Sequence, residues 1–180
     1  MIVEHSLKKE LLILSHMRTN ARLKLTKISR LTGIPVSTIF DRVKAGSPFV
    51  IKHTTLIDFQ RLGFTTRATI ILRTVKEDRE ALHEYIMHHN YVNNAYRINN
   101  GYDFLIEGVF RHLKELEDFI EHMEDTFMIK AKQIYYIIDD LKRETFLNNP
   151  EHLRLILPQD EWKGKTDDAL SARIKIPEEE

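Results

Sequence analysis

The stretch that decides the fold is Leu25–Lys44, LTKISRLTGIPVSTIFDRVK. Apolar residues recur at helical spacing up to Leu31, and this segment ends at Gly33, because glycine readily takes the left-handed conformation that closes a helix. Pro35 suits the start of a helix but not its interior, so a new helix is expected after it. Two short helices joined by a glycine-containing turn form the helix-turn-helix pattern.

The second of these helices has two unlike faces. Its apolar positions follow i, i+3, i+4 and i+7 and are expected to form its packed back: Val36, Ile39, Phe40 and Val43. Its other face is small, polar and basic: Ser37, Thr38, Asp41, Arg42 and Lys44. A helix that reads the major groove of DNA needs such a back and such a front. The alternative is a plain three-helix bundle with a polar exterior.

A first helix precedes this pair. Leu7, Leu11 and Leu14 share one helical face, with Met17 one turn further on. After the pair, Ala45-Gly46-Ser47-Pro48 breaks the helix. The β-rich stretch FVIKHTTL that follows, Phe49–Leu56, predicts a strand or hairpin of the kind called a wing.

The charge distribution agrees with a module that contacts a polyanion. The chain is neutral overall, yet residues 1–60 carry ten Lys and Arg against four Asp and Glu. We expect Ser37 and Thr38 to reach a phosphate or a base edge, and Arg42 a guanine or a phosphate. Further contacts, mainly to phosphate, are expected from these residues: Lys27, Arg30, Lys44, Lys52 and, on the wing surface, His53.

From Thr65 the pattern changes to alternating strands and helices. Strand patterns follow at Ala68–Leu72, at Val92–Asn99 and from Tyr102, the last two separated by an Asn-Gly turn, and helical patterns lie at Arg79–His89 and Leu113–Phe127. A final strand is expected at Lys132–Asp139, which completes a βαββαβ order. This order is ferredoxin-like, with two helices on one face of a four-stranded sheet.

The other face of that sheet is expected to be apolar, with Ile71, Leu105 and Val109 among its residues. An exposed apolar sheet implies a partner, and a two-fold symmetric homodimer, or a higher oligomer built from it, is the simplest.

The sequence resembles the Lrp/AsnC family of transcription regulators, especially the archaeal ones. The resemblance rests on LTKISRLTGIPVSTIFDRVK, on the following FVIKHTTLIDFQRLGF, and on the βαββαβ unit, and it covers roughly residues 5–147. It implies an α+β protein with a winged helix-turn-helix and a ferredoxin-like (RAM- or ACT-like) domain that oligomerises and senses amino acids. Double-stranded DNA is the implied partner.

The resemblance also implies an effector site at the turn NNGYDF. In the family a Gly-x-Tyr-Asp-like turn lies where dimers meet and amino-acid effectors bind, which points here to Asn100, Gly101, Tyr102 and Asp103. The alternative is that Asn-Gly is an ordinary hairpin turn capped by Asp103.

Catalytic and cofactor chemistry find little support. Without cysteine there is no disulfide or thiolate zinc site, and the chain has no glycine-rich phosphate loop. The two histidines of HEYIMH, His83 and His88, stand five residues apart, so they point about 140° apart on a helix. We therefore expect no metal, no cofactor and no catalytic residues. Two alternatives stay open: a siroheme-decarboxylase-like enzyme on the same scaffold, and a winged helix that binds protein.

The predicted organisation is a winged helix-turn-helix at residues 1–58, a ferredoxin-like domain at 59–147, and a tail at 148–180 without assigned structure. The first ten residues lack a signal-peptide core and no apolar run exceeds about five residues, so we expect a cytoplasmic protein without membrane contact.

Overall fold

The computed structural model describes residues 2–157, with side chains from Ser6 onward. These residues form two compact units. The first comprises the chain up to His53 together with the described residues from Lys142, and the second comprises Thr54–Leu141. The chain therefore leaves the first unit once and returns to it near its end.

The first unit contains three helices, α1 (Ile2–Thr19), α2 (Leu25–Thr32) and α3 (Val36–Ala45). Its core consists of four isoleucines, at most 4% exposed, contributed by all three helices and by the turn: Ile13, Ile28, Ile34 and Ile39. Four buried side chains make a small core, which suits helices of only eight and ten residues.

A C-terminal segment, residues 142–157, packs on the opposite side of α1. Its 3₁₀ turn, Pro150–Leu155, places Leu153 and Leu157 against Leu11, and all three are buried. At the end of α1, the Arg18 guanidinium donates to the carbonyl of Phe146 at 2.7 Å. This segment is the part of the predicted tail that the structure describes; residues 158–180 lie outside the described range.

Part of the apolar face predicted for α1 therefore packs against the C-terminal segment and not against α2 and α3. Leu7 and Leu11 contact the C-terminal segment, whereas Ile13 enters the core with α2 and α3. Residues 142–147, which the sequence placed in the second domain, lie in the first unit because Leu147 packs with that same cluster.

The strand expected at Phe49–Leu56 is not formed. Within the described chain, residues 46–58 contain a turn at Ser47, where the Val50 amide donates to the Ser47 carbonyl at 3.1 Å, and then an exposed extended run. A β-rich composition favours extended backbone, but a strand needs a second strand to pair with, and no described strand lies beside this segment. The helix-turn-helix thus lacks the predicted wing.

The second unit is the predicted βαββαβ fold. Its strands are β1 (Thr66–Thr74), β2 (Val92–Arg97), β3 (Phe104–Phe110) and β4 (Ile129–Tyr136), and its helices are α4 (Arg79–His88) and α5 (Leu113–Thr126). The sheet is antiparallel with the order β2-β3-β1-β4. β4 begins three residues earlier than predicted because pairing with β1 already starts at Thr74 and Ile129.

The core of the second unit lies between the sheet and its two helices. Alternate residues of β1 and β3 are buried on that face, as the sequence predicted: Ala68, Ile70, Leu72, Phe104, Ile106 and Phe110. From α5, Leu116, Ile120 and Met123 fill the same layer. Leu113, the first residue of α5, is 51% exposed and does not join them.

A cluster of aromatic rings packs between α4 and α5. The His89 ring lies 4.6 Å from that of Phe119 and 5.0 Å from that of Tyr85, measured between ring centroids. Burial, and then the nearby His122, lower the pKa of His89. Burial also raises the pKa of Tyr85. Both shifts favour the uncharged forms of the two rings, which suits their packing among other aromatic rings.

The opposite face of the sheet has no helix of this unit on it. Ile71 and Leu105 are register partners there, whereas Val109 pairs with Arg67 and is separated from them by the Thr69–Glu107 pair. Polar residues surround them, including Gln133 and Tyr135 of β4.

The packing of the C-terminal segment on α1 generates the first prediction. Leu153→Ala should lower the free energy of unfolding of the first unit by about 2–5 kcal/mol, because Leu153 is fully buried against Leu11 and its removal leaves a cavity. Urea unfolding of the full chain, followed by circular dichroism, measures the change.

The matched control is Leu155→Ala in the same 3₁₀ turn, where the side chain is 71% exposed and little should change. Equal effects of the two substitutions would show that the C-terminal segment does not stabilise the first unit.

Candidate nucleic-acid interface

The turn between α2 and α3 fixes how the second helix is presented. Gly33 closes α2 in the left-handed conformation, φ 71°, and its amide donates to the Ser29 carbonyl at 2.8 Å. A side chain at that φ would be strained, which explains the glycine. Ile34 then enters the core and Pro35 immediately precedes α3, as the sequence predicted.

The first turn of α3 offers small polar side chains. Ser37 is exposed and Thr38 is half-buried. As the second and third residues of α3, they lie at the end of the helix that helix-turn-helix proteins bring to base edges.

Several cations near these helices are exposed and unneutralised. Among residues 6–157, no carboxylate forms an ion pair with the four lysines and arginines that the sequence assigned to phosphate: Lys27, Arg30, Lys44 and Lys52. Lys27 and Arg30 lie on α2, and Lys44 on α3. The loop ahead of α2 adds Arg22 and Lys24, both exposed, which sequence reasoning did not select.

Lys52 and His53 do not belong to a wing. Both are exposed on the extended run after α3, beside Ile51, whose side chain is fully exposed. His53 and Val50 line a small cavity with residues of α1 and α3, among them Met17 and Val43, so His53 lies near the helix-turn-helix without a paired strand.

Arg42 is placed differently from its prediction. Its guanidinium donates to the carbonyl and the hydroxyl of Ser6, at 3.1 and 2.9 Å, and lies 3.7 Å from a Glu10 carboxylate oxygen. Glu10 also accepts a hydrogen bond from Ser47, just after α3. Arg42 thus ties α3 to α1, and its polar atoms are used inside the unit.

The apolar back predicted for α3 is only partly packed. Ile39 is fully buried, but Val36, Phe40 and Val43 are 40%, 52% and 40% exposed. On the helix Ile39 lies at one edge of this arc of about 100° and Phe40 at the other, so α3 is packed along the Ile39 edge and exposure increases toward Phe40. Phe40 instead faces outward, with the Lys44 ammonium 6.0 Å from the centre of its ring.

The turn predicted to bind an effector is built as a rigid hairpin end. Asn100 and Gly101 have φ of 62° and 85°, as tight hairpin turns require. The Asp103 carboxylate accepts from the Thr74 amide at 2.9 Å and pairs with Arg79 at 2.7 Å. The Tyr102 hydroxyl accepts from the Gln133 side chain at 2.8 Å.

Metal ligation and membrane insertion find no support in the described residues. No group of three or more His, Cys, Asp or Glu side chains among them is arranged to hold a metal ion. No helix of the described chain is long and apolar enough to cross a membrane.

No protein-family model matches the chain. Among curated proteins it is similar to the HTH-type transcriptional regulator FL11 of Pyrococcus horikoshii, with 22% identity over 111 residues, which are 61% of this chain and 74% of the relative. The regulator of the same name from Pyrococcus abyssi matches to the same extent.

Solved structures of regulators share the fold. The L-Met complex of the transcriptional regulator NMB0573 from Neisseria meningitidis superposes with a TM-score of 0.70, at 19% identity, over 82% of this chain and 97% of that chain. AsnC of E. coli gives a TM-score of 0.63 at 18% identity, over 74% and 93% of the two chains.

The class of fold follows from these similarities. The chain has the α+β architecture of Lrp/AsnC regulators, a helix-turn-helix followed by a ferredoxin-like domain, and this sequence prediction is confirmed. At these identities the similarity establishes the fold.

The contacts of Arg42 generate the second prediction. Arg42→Ala should lower the stability of the first unit by about 1 kcal/mol, because it removes hydrogen bonds between α3 and α1. Lys44→Ala, on the same helix but without a polar partner among the described residues, should leave stability nearly unchanged. Chemical unfolding of both variants measures these changes. Equal stabilities of the two variants would show that the contacts of Arg42 do not stabilise the first unit.

Proposed function

We propose that the chain is a sequence-specific DNA-binding transcription regulator. The observation that carries the proposal is the helix-turn-helix itself: α3 follows a glycine-closed turn and has Ser37 exposed in its first turn, and α2 and α3 carry exposed cations without carboxylate partners. An exposed cluster of Lys and Arg without carboxylate partners attracts a polyanion, and phosphate contacts supply much of the affinity for DNA.

The individual contacts follow from exposure. Ser37 and Thr38 are proposed to meet base edges or the adjacent phosphate, and Lys27, Arg30 and Lys44 to bind phosphates on either side of α3. Lys52 and His53 are proposed to contact the DNA backbone from the extended run. Arg42 acts through its bonds to Ser6 and holds α3 in place.

Dimerisation, or assembly beyond a dimer, is proposed to use the open face of the sheet. Ile71 and Leu105 are paired there, Val109 lies two residue pairs further along the same face, and no helix of their own unit covers them. A two-fold symmetric pair would bury this face and present two recognition helices. Half-sites about 10 base pairs apart, or a multiple of that, would then be bound.

An amino-acid-like effector at the hairpin turn is proposed as the regulatory ligand. The L-Met complex is a property of the Neisseria regulator. Support here comes from the amides of Asn100 and Gly101, which meet no acceptor among the described residues and suit a carboxylate. Asp103 is proposed to anchor the turn and not to bind the effector, because its carboxylate already accepts a hydrogen bond from the Thr74 amide and pairs with Arg79.

The third prediction concerns DNA binding. In gel shifts at two or more salt concentrations, the purified chain should retard its own upstream DNA in preference to a random fragment. Lys27→Ala should weaken binding to all sequences and reduce the slope of log affinity against log salt by about one, because one phosphate contact is lost. Lys130→Ala, an exposed lysine of β4 in the second unit, is the control and should leave the slope unchanged.

Absence of any shift at low salt would contradict the proposal. A tetrapyrrole bound to the purified protein would then favour the decarboxylase-like alternative, and a tightly bound protein without DNA affinity would favour the protein-binding alternative.

A further inference from the structure

The recognition helix carries apolar side chains on its exposed surface. Phe40 is 52% exposed and Val36, one turn earlier, is 40% exposed. Ser37 and Lys44, also exposed, flank Phe40 on the same helix. Single exposed apolar residues are common, but two at i and i+4 on the helix that is presented to DNA form a small continuous apolar surface.

Charge around this surface indicates what it contacts. The Lys44 ammonium lies 6.0 Å from the centre of the Phe40 ring, and Lys27 and Arg30 are exposed on the neighbouring α2. A partner that binds here must carry negative charge opposite these cations and an apolar group opposite Phe40. Together with Val43, which is 40% exposed on the same helix, these side chains offer about 100 Å² each at most, well short of the roughly 800 Å² per partner of a stable protein interface.

The major groove of DNA meets both conditions. Phosphates line its rim, and the thymine C5-methyl is the apolar group that its base edges present. We propose that Phe40, supported by Val36, contacts thymine methyl groups and makes the chain prefer sites with thymine at defined positions. Lys44 binds the phosphate beside that thymine. This inference rests on the proposed DNA-binding function and adds the base that α3 selects.

Uracil gives a direct test, because it keeps the pairing and the O4 acceptor of thymine and lacks only the methyl group. Thymines in the footprint of the full-length protein are replaced by uracil one at a time, on both strands. The wild type should bind roughly fourfold more weakly for each methyl that Phe40 contacts. Phe40→Ala should bind the thymine and uracil sites equally, so the two changes are not additive.

Two variants serve as controls. Phe40→Leu keeps an apolar side chain and should retain the preference for thymine. Phe146→Ala removes an equally large side chain, which is 62% exposed in the C-terminal segment of the same unit. This variant should prefer thymine over uracil sites to the same extent as the wild type.

Other results would overturn the inference in distinguishable ways. If the wild type binds a specific site but no uracil substitution weakens it, or if Phe40→Ala still discriminates, DNA binding stands and the role of Phe40 fails. If Phe40→Ala changes the oligomer mass in light scattering, Phe40 belongs to a contact between copies. If the wild type binds no DNA, both the inference and the proposed function fail.

Discussion

The structure of the first unit depends on the burial of Ile28 and Ile39, one from each helix of the pair, against Ile13 of α1. Both are fully buried, and each belongs to a helix too short to be stable alone. Their contact therefore creates the helices and at the same time sets the angle at which α3 is presented. The DNA contacts proposed for α2 and α3 are a consequence of that small apolar core.

Because this core is small, the unit uses two further devices to hold α3 and α1. Arg42 bonds α3 to the start of α1 through Ser6, and the C-terminal segment covers the outer side of α1 with Leu153. The second device joins the unit to the rest of the chain at two points, near residues 53 and 142.

Local signals in the sequence predicted much of this fold. The Gly33 turn, the strand at Ala68–Leu72 and the helix predicted at Leu113–Phe127 each depend on neighbouring residues, and all three elements are formed. Predictions failed where the outcome depends on distant parts of the chain. The strand at Phe49–Leu56 found no partner, and the outward direction of Phe40 reflects how little of α3 two short helices can cover.

The central claim, that α3 lies in the major groove, is tested most directly by DNA cleavage from a fixed point on that helix. The chain has no cysteine, so Ser37→Cys provides a single attachment site for an iron chelate. With Glu121→Cys on α5 as control, the account predicts cleavage from position 37 at a few nucleotides in each half-site, about one helical turn apart, and none from position 121. Cleavage confined to position 121, or equal and scattered from both, would contradict it.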